Sequence, residues 1–396
     1  MKKWMCCMTL VFAAVLGLAG CSDADEVSQT LQPVQDAAAK DPLAVAWSDD
    51  PMMVRAVETD AVTLADEDRM LAREGGMIFE EWNAGVMSAV QTRSAESVIT
   101  PQHSGHDLGD GYYSIDAAGR CWVEWPGPPD AQDGNWYIYV QLEGEDPVLL
   151  DEGAYYYDRK SLRGNGVVMD YENGNVVWIK PNGDYFVRLY RAETGDTLEL
   201  DQFANAGAQV AIGEKDAVWV KRDAAQQLCL MHCDLESGAV TQLEVLEDGA
   251  DNPVICGRYV VMHKNSGRDL WVYDLEQRDW TLHIGGDLSV FGTYTGLDVP
   301  FVLDDQHIAL VSDTMMTPYQ LAVVDLAAGT AYPVETAPYT PLCYFPAGAK
   351  EETLADVEGA VIRIQPVDAD GTTVMMLLQM TDEGVEKTAQ TYRFLW

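Results

Sequence analysis

A glycine-marked turn recurs along most of this chain. Gly144, Gly195, Gly238, Gly329 and Gly384 mark it, with Arg278 in the same place in one copy, at spacings of 51, 43, 40, 51 and 55 residues. Three copies open on an aspartate: Asp234-Leu235-Glu236-Ser237-Gly238, Asp274-Leu275-Glu276-Gln277-Arg278 and Asp325-Leu326-Ala327-Ala328-Gly329. The turn sits between two short apolar runs, and a further apolar run lies upstream. That upstream run repeats as Cys121-Trp122-Val123, Val176-Val177-Trp178-Ile179 and Ala217-Val218-Trp219-Val220, with Val261, Leu310 and Arg363 at the tryptophan position elsewhere. One such unit cannot bury its own apolar faces, so neighbouring copies must stack to make a core.

Repeats of about 40–55 residues built from short strands are the blades of a β-propeller. The expected fold class is therefore all-β, a propeller of four-stranded blades. An earlier, weaker copy combines Asp60-Ala61-Val62-Thr63-Leu64 with Glu81-Trp82-Asn83-Ala84-Gly85, and counting it gives seven blades rather than six. Its rival is a helix over 66–90, since Met70, Phe79, Trp82, Val86 and Val90 approach helical spacing, but Gly75-Gly76 would break it. Tryptophans recurring at one slot of a repeated strand are expected to pack blade against blade rather than form a sugar platform. Over nearly the whole chain after residue 50, the pattern resembles extracytoplasmic bacterial β-propellers of the TolB-like and YVTN-like kind. That resemblance implies a fold and leaves function open.

The start of the chain carries an address. Lys2 and Lys3 precede an almost wholly apolar run from Met5 to Ala19, followed at once by Ser22, Asp23, Asp25 and Glu26. The run is shorter than the about 20 residues a spanning helix needs and reads as a signal peptide. Leu18-Ala19-Gly20-Cys21 resembles the lipobox of bacterial lipoproteins, which implies cleavage before Cys21 and a diacylglycerol on it. The expected organisation is a signal peptide over 1–20, a lipid-anchored linker over 21–42 containing Pro33 and Pro42, and a propeller over 43–396. The expected location is the cell membrane, on its extracytoplasmic side.

Charge narrows the partners. The formal net charge is −39, and cleavage would remove two lysines and no acid. Nucleic-acid affinity comes largely from basic side chains that displace counterions, so nucleic acid is excluded as a partner. The acids are dispersed, as on a solvated surface. Besides Cys21, the mature part holds Cys121, Cys229, Cys233, Cys256 and Cys343, an odd set that matches no disulfide framework. Cys229 and Cys233 would share a strand face at ~13 Å, too far for one metal or bridge, so buried thiols are expected. No cofactor or metal is expected. His103-Ser104-Gly105-His106-Asp107 is the most metal-like cluster but lacks a third firm ligand, and Asp368-Ala369-Asp370-Gly371 reads as a hairpin turn.

Antiparallel blade geometry puts the hairpins between third and fourth strands on one face. Blade-to-blade connections lie on the other, with the hairpins between second and third strands. The glycine turns are short, whereas the connections over 91–111, 151–166, 285–300 and 335–358 are long, so the second face is the better candidate for binding. Its rings and neighbours nominate Tyr155, Tyr157, Arg159, Tyr294 and Tyr344 as a ligand-binding set for carbohydrate, peptide or protein. No G-x-S-x-G, H-E-x-x-H or G-x-x-x-x-G-K-[ST] motif occurs, so no catalytic residue is nominated. The functional reading is a binding module. Its alternative is a channel-sited hydrolase, lyase or lactonase acting on carbohydrate or a related small molecule, with carboxylates converging from distant blades.

Overall fold

The computed structural model describes residues 41–49, 52–58, 69–73, 76–83, 86–92, 97–115, 118–126, 134–155, 157–158, 163–164, 167–182, 184–204, 209–247, 249–264, 269–285, 300–311, 321–335, 360–366, 372–381 and 384–394. Among them there is no helix. Four-stranded antiparallel sheets follow one another in chain order, over 69–99, 106–155, 168–203, 209–246, 251–284 and 301–335. A further sheet is built from Ala360–Pro366, Thr372–Thr381 and Gly384–Phe394, and its fourth strand is Met52–Glu58 from near the start of the chain. From the 106–155 sheet onward, first strands of successive sheets lie side by side, and Ala360–Pro366 touches both Phe301–Val302 and Arg69–Arg73. This is a β-propeller whose last blade is completed by the N-terminal segment.

That segment also straps the outside. Leu43–Ala44 pairs in parallel with Asp279–Ile284, and Ala46–Trp47 pairs with Thr330–Glu335, each an outermost strand. An open strand edge invites pairing with another chain, and the strap covers two such edges. Val45, between the two pairings, is buried in the core shared by the last two strapped blades.

The repeated turns have a local cause. Gly195, Gly238 and Gly329 have φ of +69°, +69° and +64°, left-handed values that glycine adopts without steric penalty, and Arg278 is held at +55°. The aspartates orient the turns: Asp234 accepts the Ser237 N–H and hydroxyl at 2.7 and 2.8 Å, Asp274 the N–H groups of Glu276 and Gln277, and Asp325 that of Ala328. The Ser237 bonds hold the Asp234 carboxyl below the usual carboxylate range.

A second recurring feature is invisible as a motif. In five sheets the pairing of third with fourth strand shifts by one residue, after Val90, Ile138, Val187, Leu230 and Val272. Such bulges increase the local twist, which lets each blade fan away from its neighbour.

Aligning the blades on this bulge explains the tryptophans. Trp122, Trp178 and Trp219 are buried against the preceding blade, as expected. The Trp178 indole donates to Asp151 at 2.9 Å and the Trp219 indole to Asp201 at 2.8 Å, each acid standing on the fourth strand of the blade before. Lys180 and Lys221, two residues on, bind the same two carboxylates. Asp151 also takes Arg188 at 3.1 Å. Each of these two seams is thus closed by a tryptophan and a lysine clipped to one aspartate.

Three expectations are corrected. Val261 does not occupy the tryptophan slot: it packs toward the following blade, while Val260 and Met262 face the preceding one, because a one-residue slip flips every side chain. Arg363 lies on a first strand and Gly384 between a second and third, since the fourth strand of that blade comes from residues 52–58. Gly85 likewise falls between second and third strands; the described residues over 69–92 are strand, as the blade reading expected against its helical rival. Residues 60–64 lie outside the described ones.

Candidate functional site

The face that carries the second-to-third hairpins and the blade-to-blade connections holds whatever site residues are described. Tyr155 ends the strand Val148–Tyr155. Just beyond it, Tyr157–Asp158 pairs with Arg163–Gly164 in a two-stranded hairpin separate from the blade sheets. Tyr155 and Tyr157 are thereby brought to one connection. Arg159, Tyr294, Tyr344 and the lipidation candidate Cys21 lie outside the described residues, as do most of the connections over 285–300 and 335–358. The long loop expected over 91–111 is not one: Ser97–Ile99 and His106–Ile115 are strands, and only 100–105 connect them.

That short connection is organised by Glu124, a fully buried carboxylate near the end of its strand. It accepts the backbone N–H of Gln102 at 2.7 Å and of His103 at 3.1 Å, the Trp122 indole N–H at 3.0 Å and His103 Nδ1–H at 3.0 Å. Four donors use up the lone-pair sites of a carboxylate. Glu124 therefore fixes the loop and is not free to act as a base. The His103 ring stacks on Tyr137 with centroids 3.7 Å apart, and His106 Nε2–H donates to the carbonyl of Asn135 at 2.9 Å. Burial raises the neighbouring Asp107 carboxyl above the usual range. The metal-like histidines of the sequence are thus spent on a carboxylate, a carbonyl and a tyrosine ring. Among the described residues, no group of three His, Cys, Asp or Glu side chains is placed to hold a metal ion.

A second cluster lies at the same face of the 251–284 blade. Asn252, left-handed at φ +50°, is clamped by Gln209 of the blade before: the Gln209 amide donates to Asn252 Oδ1 at 2.7 Å, and Gln209 Oε1 accepts the Asn252 N–H. Asn252 Nδ2 lies 3.2 Å from His263 Nδ1, which makes Nδ1 an acceptor and puts the ring proton on Nε2. One residue on, Lys264 is 9% exposed, with Nζ over the rings of Trp271 and Trp280. Sequence reasoning missed this cluster. The only sequence signal was a lysine ending a strand whose next strand opens on Asp269-Leu270-Trp271.

The cysteines behave as expected where described. Cys121, Cys229, Cys233 and Cys256 are free and buried, and burial pushes the Cys233 thiol up to about 12.

No protein-family model matches the chain, and no curated protein matches it. Several solved structures are similar to it at low identity. TolB from Acinetobacter baumannii is 10% identical, with 82% of this chain covering 81% of that one at a TM-score of 0.39. The structure of YCF48 bound to D1 peptide is 11% identical over 89% of this chain and 100% of that one, with a TM-score of 0.41. A puromycin-hydrolysing peptidase from Mycobacterium tuberculosis is 14% identical over 81% of this chain, with a TM-score of 0.44, and this chain spans about half its length, 52%. The β-propeller assignment rests on the chain's own succession of four-stranded sheets.

Proposed function

We propose that this chain is a lipid-anchored, extracytoplasmic propeller of seven blades, tethered through Cys21 and the 21–42 linker, that binds a carbohydrate, peptide or protein on its loop face. The observation that carries the reading is the hairpin Tyr157–Asp158/Arg163–Gly164, which belongs to no blade. A propeller needs only a short crossing between blades, and every additional ordered residue costs backbone entropy of about 1–2 kcal/mol. Ordered structure beyond the crossing calls for a reason outside folding, and binding supplies one. Tyr155, Tyr157 and Arg159 belong to this connection, and Tyr294 and Tyr344 to connections expected on the same face.

The test is mutational. A ring buried at the centre of an interface commonly contributes 2 kcal/mol or more, so Tyr155→Ala and Tyr294→Ala should each weaken capture of a true ligand by roughly thirtyfold. The thermal midpoint should stay nearly unchanged, the outcome expected of rings that serve a ligand rather than the fold. Unfolding of these variants, or ligand contacts mapping to the hairpins of Gly238 and Gly329, would place the site elsewhere.

A further inference from the structure

Lysines in this chain have acids to choose from, 64 of them against 25 basic residues. Lys180 and Lys221, both mostly buried, are each bound to an aspartate. Lys264 is the exception. It is more deeply buried than either, at 9% exposure, and its ammonium lies 3.5 Å from the ring centre of Trp271 and 4.5 Å from that of Trp280, with no carboxylate in ion-pair contact among the described residues. Glu244 and Glu247 act on it only through space, and Glu244 Oε1 takes the N–H of Val245. Burial holds Lys264 below the ordinary lysine range, so the charge is poorly compensated where it stands.

Two further buried nitrogens in the same cluster make no hydrogen bond to the described residues. Among the described residues the buried Trp271 indole N–H has no acceptor, and buried His283 Nε2 has no hydrogen-bond partner, its nearest acid being Asp269 Oδ2 in a long ion pair at 3.8 Å. The Trp271 and His283 rings are 5.3 Å apart. Gly285 leaves room for that imidazole, since a Cβ there would come within 2.7 Å of His283 Cε1. Buried polar atoms without partners are rare in folded proteins, and an indole N–H under the Lys264 ammonium, with an imidazole beside it, marks a place where an acceptor belongs.

We infer that Lys264, Trp271 and His283 form a subsite for the carboxylate of a ligand, at the loop face of the 251–284 blade. One ammonium and one indole N–H, with an imidazole that donates through Nε2 in one of its two tautomers, match a single planar monoanion with several lone pairs. A phosphate dianion, in a protein of net charge −39, would call for guanidinium forks that the described cluster lacks. The flanking indole faces suit the flat carboxylate and the apolar atoms next to it. Two ligand sources carry that group: the C-terminus of a peptide and an acidic sugar. The inference deepens the loop-face reading by naming what the face would grip, yet carboxylate binding can be read on its own.

The experiment follows the Trp271 indole N–H resonance in the 15N-labelled mature chain, assigned by its loss in Trp271→Phe. Sodium acetate, methyl β-D-glucuronide and N-acetyl-Gly-Gly are titrated at constant ionic strength, with sodium chloride, methyl β-D-glucoside and N-acetyl-Gly-Gly amide as controls. The inference predicts a saturable shift with the carboxylates and none with the controls. Lys264→Met should weaken it by about tenfold or more, and Lys264→Arg should retain most of it. Tighter binding of the dipeptide or of the glucuronide identifies the source. Absence of a saturable shift in the wild type, an equal shift with chloride, or unchanged affinity in a folded Lys264→Met variant overturns the subsite. Should Lys264→Met not fold, the wild-type titration and Lys264→Arg still decide. Tyr155→Ala should leave acetate binding intact, so failure of the tyrosine site and failure of the carboxylate subsite are separately visible.

Discussion

Replacing Asp201 with alanine should loosen the seam between the 168–203 and 209–246 blades by an amount the contacts set. The carboxylate accepts the indole N–H of the fully buried Trp219 at 2.8 Å and Lys221 Nζ at 2.7 Å. Leaving a buried indole donor without an acceptor costs about 1–3 kcal/mol. Removing one partner of a fully buried ion pair costs about 3–5 kcal/mol. Lys221 is 17% exposed and can turn part of its ammonium to water, so about 2 kcal/mol is the better figure for it. The total is about 4 kcal/mol, or roughly 8 °C if a chain of this length loses about 2 °C per kcal/mol. Adding Lys221→Met should return about 2 kcal/mol, because the orphaned charge is then gone. Urea unfolding followed by circular dichroism and tryptophan fluorescence measures both, provided the two probes coincide. An Asp201→Ala variant within about 0.5 kcal/mol of wild type, or a double variant at least as unstable as the single, would refute the clip.

Gly153→Ala should destabilise by about 1–3 kcal/mol in the same assay, because the new Cβ would sit 2.5 Å from Cζ2 of the fully buried Trp136, which has nowhere to go. The buried thiols predict alkaline sensitivity: Cys233 is held protonated up to about 12 when folded, against 9.0 for an ordinary thiol, so the folded state binds the extra proton between those values. Stability should therefore be unaffected by this group below pH 9 and fall as pH rises toward 12, as unfolding midpoints across that window would show, and a flat profile would contradict it. Lipidation predicts that membrane-derived protein begins at Cys21 with a diacylglycerol by mass spectrometry, and that Cys21→Ala is released from the membrane fraction; a mature N-terminus elsewhere would exclude it.

What could be read in the sequence was what is determined locally. A left-handed residue four places after a carboxylate makes the same turn in each copy, so Asp234–Gly238, Asp274–Arg278 and Asp325–Gly329 announced the blades by themselves. Long-range pairings could not be read that way. The closing strand Met52–Glu58 pairs with residues more than 300 positions away, which is why the last blade was displaced by one strand. The hairpin between second and third strands is one residue longer across Val260 and Tyr273 than across Trp219 and Met231, and so Val261 was set on the wrong face of its strand. The tryptophans were legible as packing, but their aspartates were not, being 18 and 27 residues upstream on another blade. Tyr155 and Tyr157 stood out by type. Lys264 did not, because what distinguishes it is the absence of a carboxylate, and only the folded chain shows which acids come near.

The central claim is that the loop face binds. Its most direct test is to probe arrays of glycans and peptides with the mature chain, and then with Tyr155→Ala, Tyr294→Ala and, at an exposed turn of the opposite face, Glu236→Ala. The account predicts at least one class of ligand retained by the wild type and by Glu236→Ala but reduced roughly thirtyfold by the tyrosine variants, with all proteins equally folded. Ligands held equally by the tyrosine variants and lost in Glu236→Ala would contradict it.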